Sequence, residues 1–289
     1  MKKIILSATL GLSLCSSILA DGESASSIAK KHAVARALEL EAYLKKHPHA
    51  YDKDEAVTYL LKSYAMTENK ERFLDLTQDK FDALVASENL DIQSFYSTTN
   101  ALFNLYLEDG NKEAAQKLLD TATQRSQEHQ VAPQLISAFN QMAQKIKLPR
   151  KGETINIKFT GLMGEDVDLA AMKGKVVLVD FWSTECGPCL RGIPHMVSMY
   201  EKYKDQGFSI ISISLDRAAD KEKLKGFIVD NKMPWPQHFD GKGWKSDLAR
   251  KYGITVMPTT FLIGKDGTVV ASNLRGKSLD TSVSQYLSE

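Results

Sequence analysis

The chain is 289 residues long, enough for two ordinary domains, and is 43% hydrophobic and 25% charged. That composition excludes disordered and fibrous classes. Once Lys2 and Lys3 are set aside with the segment read below as removed, the 37 basic residues become 35 against 36 acidic ones. The net of −1 provides no global field to recruit nucleic acid or anionic lipid.

The first twenty residues read as a secretory signal. Lys2 and Lys3 start it, residues 4–14 are apolar and uncharged, and Ser16, Ser17 and Ala20 precede Asp21-Gly22-Glu23. The apolar run is too short for a permanent membrane anchor. A variant reading comes from Leu12-Ser13-Leu14-Cys15, which resembles the lipid-accepting site of bacterial lipoproteins, except that Leu14 stands where a small residue belongs. Either way the expectation is an exported protein of the periplasm or cell envelope, and the cleaved signal is the simpler form.

Export leaves Cys186 and Cys189 as the only cysteines of the mature chain, in a compartment where disulfides persist. A bridge closing so short a loop removes little chain entropy and stabilises little. The pair is therefore expected to be there for its chemistry, and the fold must rest on hydrophobic cores.

Residues 21–147 are expected to form an all-α domain. Between residues 21 and 150 only Gly22 and Gly110 are glycine, whereas fourteen glycines and all three tryptophans follow residue 150. Apolar residues recur at helical spacing in three stripes: Val57, Leu60, Leu61, Tyr64 and Ala65; Ala114, Ala115, Leu118, Leu119 and Ala122; and Leu135, Ile136, Phe139, Met142 and Ile146. Breakers at His47-Pro48-His49, Asp109-Gly110-Asn111 and Pro133 separate five or six antiparallel helices. The pairing around Gly110 resembles a tetratricopeptide-like hairpin, although the ~34-residue repeat is not sustained. A helical bundle and a peptide-binding groove both remain open. His47 and His49 have no further ligand nearby, so no metal site is expected.

Residues 148–289 read as an α/β domain. Alternating runs at 154–159 and around Val167-Asp168-Leu169 suggest a hairpin. The nearly continuous apolar run 175–182 suits a strand buried on both faces of a sheet. Cys186-Gly187-Pro188-Cys189 then opens a helix to about residue 204. A strand at 208–215 follows, then helices at 221–231 and 244–252, strands at 260–263 and 268–271 around the turn Gly264-Lys265-Asp266-Gly267, and a helix at 279–287.

Val179-Asp180-Phe181-Trp182-x-x-x-Cys186-Gly187-Pro188-Cys189, Pro194, and Val256-Met257-Pro258-Thr259 together resemble the active-site strand, helix and cis-proline segment of thioredoxin. The exported N-terminus and the insertion before the last hairpin look more like the extracytoplasmic TlpA-like thiol–disulfide oxidoreductases. The resemblance covers residues 150–289. It implies a thioredoxin-like fold with a central mixed sheet flanked by helices, and a cis bond at Pro258 that sets Met257 and Thr259 beside Cys186 for an extended substrate. Trp182 is expected in the core or pocket wall, with a secondary contact toward the thiols.

Physical chemistry leads to the same cycle. A thiolate on Cys186 at a helix N-terminus meets unpaired N–H groups and the positive dipole end, so its pKa should lie below the free value of ~8.5. Pro188 suits the first turn, where its missing N–H is not needed. Cys186 would attack a substrate disulfide, and the shielded Cys189 would resolve the mixed disulfide. Asp180 sits in an apolar strand, so its pKa should be raised, and it would accept the proton of Cys189, the role implied by the resemblance. The cycle calls for protein disulfide or dithiol partners and a membrane electron donor, and for no cofactor or metal. Gly-Pro between the cysteines is the dipeptide of thioredoxin, so the resemblance implies the reducing direction.

Two departures from thioredoxin stand out. Glu185 occupies the usual tryptophan position and should oppose the Cys186 thiolate unless it points into solvent. The strand 208–215 lacks the lysine that faces the thioredoxin aspartate. His195 reads as a partly exposed helical residue. Two other functions remain: a peroxiredoxin-like peroxidase, for which Ser183 has the right offset but no proline lies near, and a helical adaptor or redox sensor whose second domain docks a partner.

Overall fold

The protein is described here by a computed structural model, covering residues 24–129 and 133–289. The predicted signal, Cys15 included, lies outside the described residues. Six helices occupy the first half: α1 Ala25–Lys46, α2 Lys53–Thr67, α3 Lys70–Ala86, α4 Ile92–Glu108, α5 Lys112–Glu128 and α6 Pro133–Ile146. Their starts follow from short polar caps. Ser24, Asn69 and Asp91 each accept a backbone N–H from the first turn of α1, α3 and α4. Buried stripes on α5 and α6 contain the expected Ala115, Leu118, Leu119, Ala122, Leu135, Phe139 and Met142. On α2 the stripe is rotated. Ala56, Leu60, Ser63 and Tyr64 are buried while Ala65 is exposed, because the Tyr64 hydroxyl is drawn to the Glu41 carboxylate on α1.

The described residues divide into two compact units, 24–109 with 124–129 and 110–123 with 133–289. The division runs through α5 and places α6 with the α/β portion, whereas sequence composition changes at residue 150. The reason is contact chemistry within the second unit. Lys112 Nζ donates to Glu153 Oε2 at 2.7 Å and to the Leu148 carbonyl at 3.3 Å. Gly253, at φ +63°, lies so close to α6 that a Cβ there would sit 2.1 Å from the Gln144 carbonyl oxygen.

The first unit is built by successive helices, α1 against α2, α2 against α3 and α3 against α4. Phe81 stacks on Phe95 at 5.7 Å, and Tyr106 donates to Gln78 Oε1 at 2.7 Å.

In the second unit a short antiparallel pair, β1 Lys158–Thr160 and β2 Asp166–Asp168, precedes a five-stranded mixed sheet. The sheet consists of β3 Val176–Trp182, β4 Phe208–Ser214, β5 Gln237–Phe239, β6 Thr259–Ile263 and β7 Val269–Ser272. Their spatial order is β5-β4-β3-β6-β7, with β3, β4 and β5 parallel and β6 and β7 antiparallel additions. Helices α7 Gly187–Tyr203, α8 Lys221–Asp230, α9 Asp247–Lys251 and α10 Gly276–Ser288 complete the unit. This is a thioredoxin-like domain.

Side-chain alternation along β3 divides the core in two. Val176, Leu178 and Trp182 pack with α7, α8 and α10, while Val177, Val179 and Phe181 pack with α9, Ile155, Ile157 and Val167. By parity Asp180 faces α7. Among the described residues no helix is long and apolar enough to cross a membrane.

Candidate active site

The strand β3 ends at Trp182, and after three intervening residues the chain enters α7 with Cys186 as its N-cap, φ −89° and ψ 93°. Cys186 Sγ accepts the Cys189 N–H at 3.2 Å, and the two cysteines form a disulfide with a Cα–Cα distance of 5.2 Å. The turn before them is fixed from β4. The buried Asp216 carboxylate accepts the Thr184 N–H at 3.1 Å, the Thr184 hydroxyl at 2.6 Å and the Ser214 hydroxyl at 2.7 Å.

Cys189 is 6% exposed, as its place inside the first turn predicts, and Cys186 is scarcely more open at 8%. In the disulfide form Cys186 belongs to the same apolar cluster as Trp182, against which Met257 packs. The helix N-terminus still offers its unpaired N–H groups to a thiolate at Cys186. Glu185 does point into solvent: its side chain is 72% exposed, with Lys223 Nζ 3.6 Å away. Its opposition to the thiolate is correspondingly weak.

Asp180 stands in register with Ser212 on β4 and Thr260 on β6. Residues directly opposite share a face, so the three form a polar row across the sheet beneath α7. The outer two hydroxyls are engaged elsewhere. Ser212 accepts Trp235 Nε1–H at 2.9 Å, and Thr260 donates to the Leu274 carbonyl at 3.2 Å. Among the described residues no group donates to the Asp180 carboxylate. Burial therefore pushes its pKa up to about 7, against the pull of the Arg275 guanidinium. A cavity of about 240 Å³ joins Asp180 to Cys189, with His195, Pro258, Thr260 and Arg275 on its walls.

The Met257–Pro258 peptide is cis. Met257 is half-buried beside the exposed Val256, and it lines a wider cleft of about 760 Å³ together with Ser183, Glu185, Arg217, Lys242 and Trp244. Trp182 and Thr259 are both buried. Trp182 is 1% exposed, its Nε1–H given to Gln237 Oε1 at 3.1 Å and its ring 5.7 Å from Phe227. It is a core residue behind the cysteines. Thr259 is buried opposite Phe181 in the ladder, and its hydroxyl donates to the Val256 carbonyl at 2.8 Å. His195 is half-buried, with Nε2 3.1 Å from the Gly276 carbonyl oxygen.

Arg275 and Asp216 were not singled out in the sequence. Neither belongs to a local motif, and each reaches the site only because the β6–β7 hairpin and the parallel crossover return the chain to β3. Asp216 could have been suspected as an acidic residue directly after a buried strand. Arg275 could not.

Comparisons with known proteins fall on the same part of the chain. Residues 139–272 match the AhpC/TSA family. The thiol-disulfide oxidoreductase ResA of Bacillus thuringiensis subsp. konkukian is 33% identical over 135 residues, which cover 47% of this chain and 75% of that protein. ResA of Bacillus subtilis is 29% identical over 124 residues, covering 43% and 66%. Among solved structures, the thioredoxin domain of a thiol-disulfide oxidoreductase from Bacteroides vulgatus is similar at 33% identity and a TM-score of 0.43, covering 48% of this chain and 98% of that one.

Proposed function

Because this chain belongs, through its C-terminal half, to the ResA-like thiol–disulfide oxidoreductases, we propose that Cys186 and Cys189 form its redox couple and reduce disulfides of exported proteins. The observation that carries the reading is the pairing of a disulfide at the start of α7 with a buried carboxylate across one small cavity.

The cycle begins with both cysteines reduced. The Cys186 thiolate, favoured by the N–H groups of α7, attacks a substrate disulfide and releases one substrate thiol. The peptide around the remaining mixed disulfide lies along the Met257–Pro258 segment, with Val256 and Met257 as its apolar contacts. Cys189 then gives its proton to Asp180 and attacks Cys186 Sγ. The second substrate thiolate leaves, and the Cys186–Cys189 disulfide remains. With a pKa near 7, Asp180 can hold that proton and return it near neutral pH.

The dithiol must be regenerated after each turnover, so a reductant acting outside the cytoplasm depends on an electron donor at the membrane. The charge and length of residues 1–20 support export.

The reduction potential of the couple in glutathione or dithiothreitol buffers tests the direction. A value near about −270 mV, as in thioredoxin, fits a reductant, and one near about −120 mV would make the protein an oxidant. Insulin reduction that survives Cys186→Ser would overturn the couple itself.

A further inference from the structure

We propose that Arg275 is a positioning residue of the exchange reaction, gripping the Pro258 carbonyl with its guanidinium while holding a positive charge over the cavity that Asp180 lines. The inference rests on the reading of Asp180 as proton acceptor and of the Pro258 segment as substrate support. It adds the group that joins the two.

Arg275 is the residue before α10, and its backbone is pinned there. Its N–H donates to Ser278 Oγ at 3.3 Å, and the same hydroxyl donates to its carbonyl at 2.8 Å. The anchored backbone sends the side chain across to the residue before β6, where Nη2 donates to the Pro258 carbonyl oxygen. Among the described residues no carboxylate forms an ion pair with it. Its charge is thus left to act on the cavity, where Asp180 is the one acidic lining residue among those described.

Several elements present groups to Asp180. Helix α7 contributes Cys189, Arg191 and His195, β4 contributes the neutral Ser212, β6 the neutral Thr260, and the start of α10 contributes Arg275. His195 has its Nε2 on the Gly276 carbonyl. Arg275 is the cation whose field reaches the carboxylate and favours its ionised form.

In the resolving step the Cys189 thiol must lose a proton as its sulfur bonds to Cys186 and the substrate thiolate departs. An ionised Asp180 is the acceptor, and Arg275 increases the fraction of molecules that have one. The same guanidinium steadies the carbonyl of Pro258, next to the backbone on which the substrate would lie.

The test is a carbon-13 NMR titration of the Asp180 carboxyl in the full oxidised chain, with Asp180→Asn used to assign the signal. It is run on the parent, Arg275→Gln and Arg275→Lys. Arg275 is exposed, so both variants should fold, and the lysine variant guards against a local rearrangement in the other. We expect Arg275→Gln to move the Asp180 titration to higher pH, and Arg275→Lys to bring it back toward the parent. The pH profile of mixed-disulfide resolution should shift in the same direction. An unmoved Asp180 in Arg275→Gln overturns the proposal. A shift that lysine fails to reverse overturns it too, since packing rather than charge would be responsible. Failure of the parent reading looks different: Asp180→Asn would then resolve its mixed disulfide at the parent rate, whatever Arg275 does.

Discussion

Asp216 holds Thr184 twice, through its backbone N–H at 3.1 Å and its hydroxyl at 2.6 Å, and so ties the turn before Cys186 to the end of β4. The sulfur of Cys186 can be delivered to one place only if that turn is rigid. Three donors satisfy the buried carboxylate, Ser214 being the third. Asp216→Ala leaves the Thr184 N–H buried and unpaired, which costs about 1–3 kcal/mol. We expect a lower thermal midpoint and slower reaction of reduced Cys186 with a small disulfide. Asp216→Asn keeps part of the acceptor set, so it should be milder in both readouts.

Glu185 tests how far an exposed charge can influence the thiolate. Its side chain is 72% exposed and 3.6 Å from Lys223 Nζ, a geometry whose coupling salt screens strongly. Glu185→Gln should leave stability within about 0.5 kcal/mol in chemical denaturation. It should also leave the rate of Cys186 alkylation against pH close to the parent. A large gain in alkylation at low pH would show that the carboxylate faces the sulfur in solution.

The disulfide motif and the buried aspartate were legible because each is a residue type that conflicts with its local pattern, whereas the cis bond at Pro258 was expected from the resemblance to thioredoxin alone. Asp180 interrupts an apolar strand, and two cysteines flank Gly-Pro at a helix start. Strand β5 was missed because three residues among Trp235, Pro236 and Gly241 have no period to read, and only pairing with β4 makes them a strand. The depth of Trp182 was hidden for a related reason. Alternation puts it on the α7 face, but the local sequence could not show that Phe227 and Gln237 close over it. Gly253 concealed the attachment of α6, since nothing in its neighbourhood announces a carbonyl arriving from Gln144.

Trp182 and Met257 should therefore separate when mutated. Trp182→Phe removes the donor to Gln237 and leaves a buried amide oxygen unpaired, at a cost of about 1–3 kcal/mol. It should lower stability with little change in KM for a peptide disulfide. Met257→Ala trims a half-buried side chain on the open cleft, so KM should rise while stability changes little. Steady-state kinetics and urea denaturation on the two variants distinguish these outcomes.

At Gly253 the φ of +63° and the nearby Gln144 carbonyl act together. An alanine would have to adopt left-handed backbone and also push α6 away, for a combined loss of roughly 2–4 kcal/mol. Gly253→Ala should lower the thermal midpoint clearly, with the redox potential of the Cys186–Cys189 couple unchanged. An unchanged midpoint would mean that α6 does not rest on that loop in solution.

Asp180 also shapes the response of the folded protein to pH. Its pKa rises from 3.8 to about 7 on folding, so between those values the native state binds the proton that the unfolded chain has released. Stability therefore falls as pH climbs from about 4 to about 7 and is level above that window. At 1.36 kcal/mol per unit the loss is of the order of a few kcal/mol. Asp180→Asn cannot ionise and should remove that slope. Urea unfolding of the oxidised proteins at pH 5 and pH 8 compares them directly. The parent should lose stability between the two pH values and the variant should lose much less. The same substitution should slow resolution of the mixed disulfide, so gain of stability at pH 8 and loss of turnover are expected in one molecule. Parallel slopes in the two proteins would place the Asp180 titration outside this window and remove it as a proton acceptor near neutral pH.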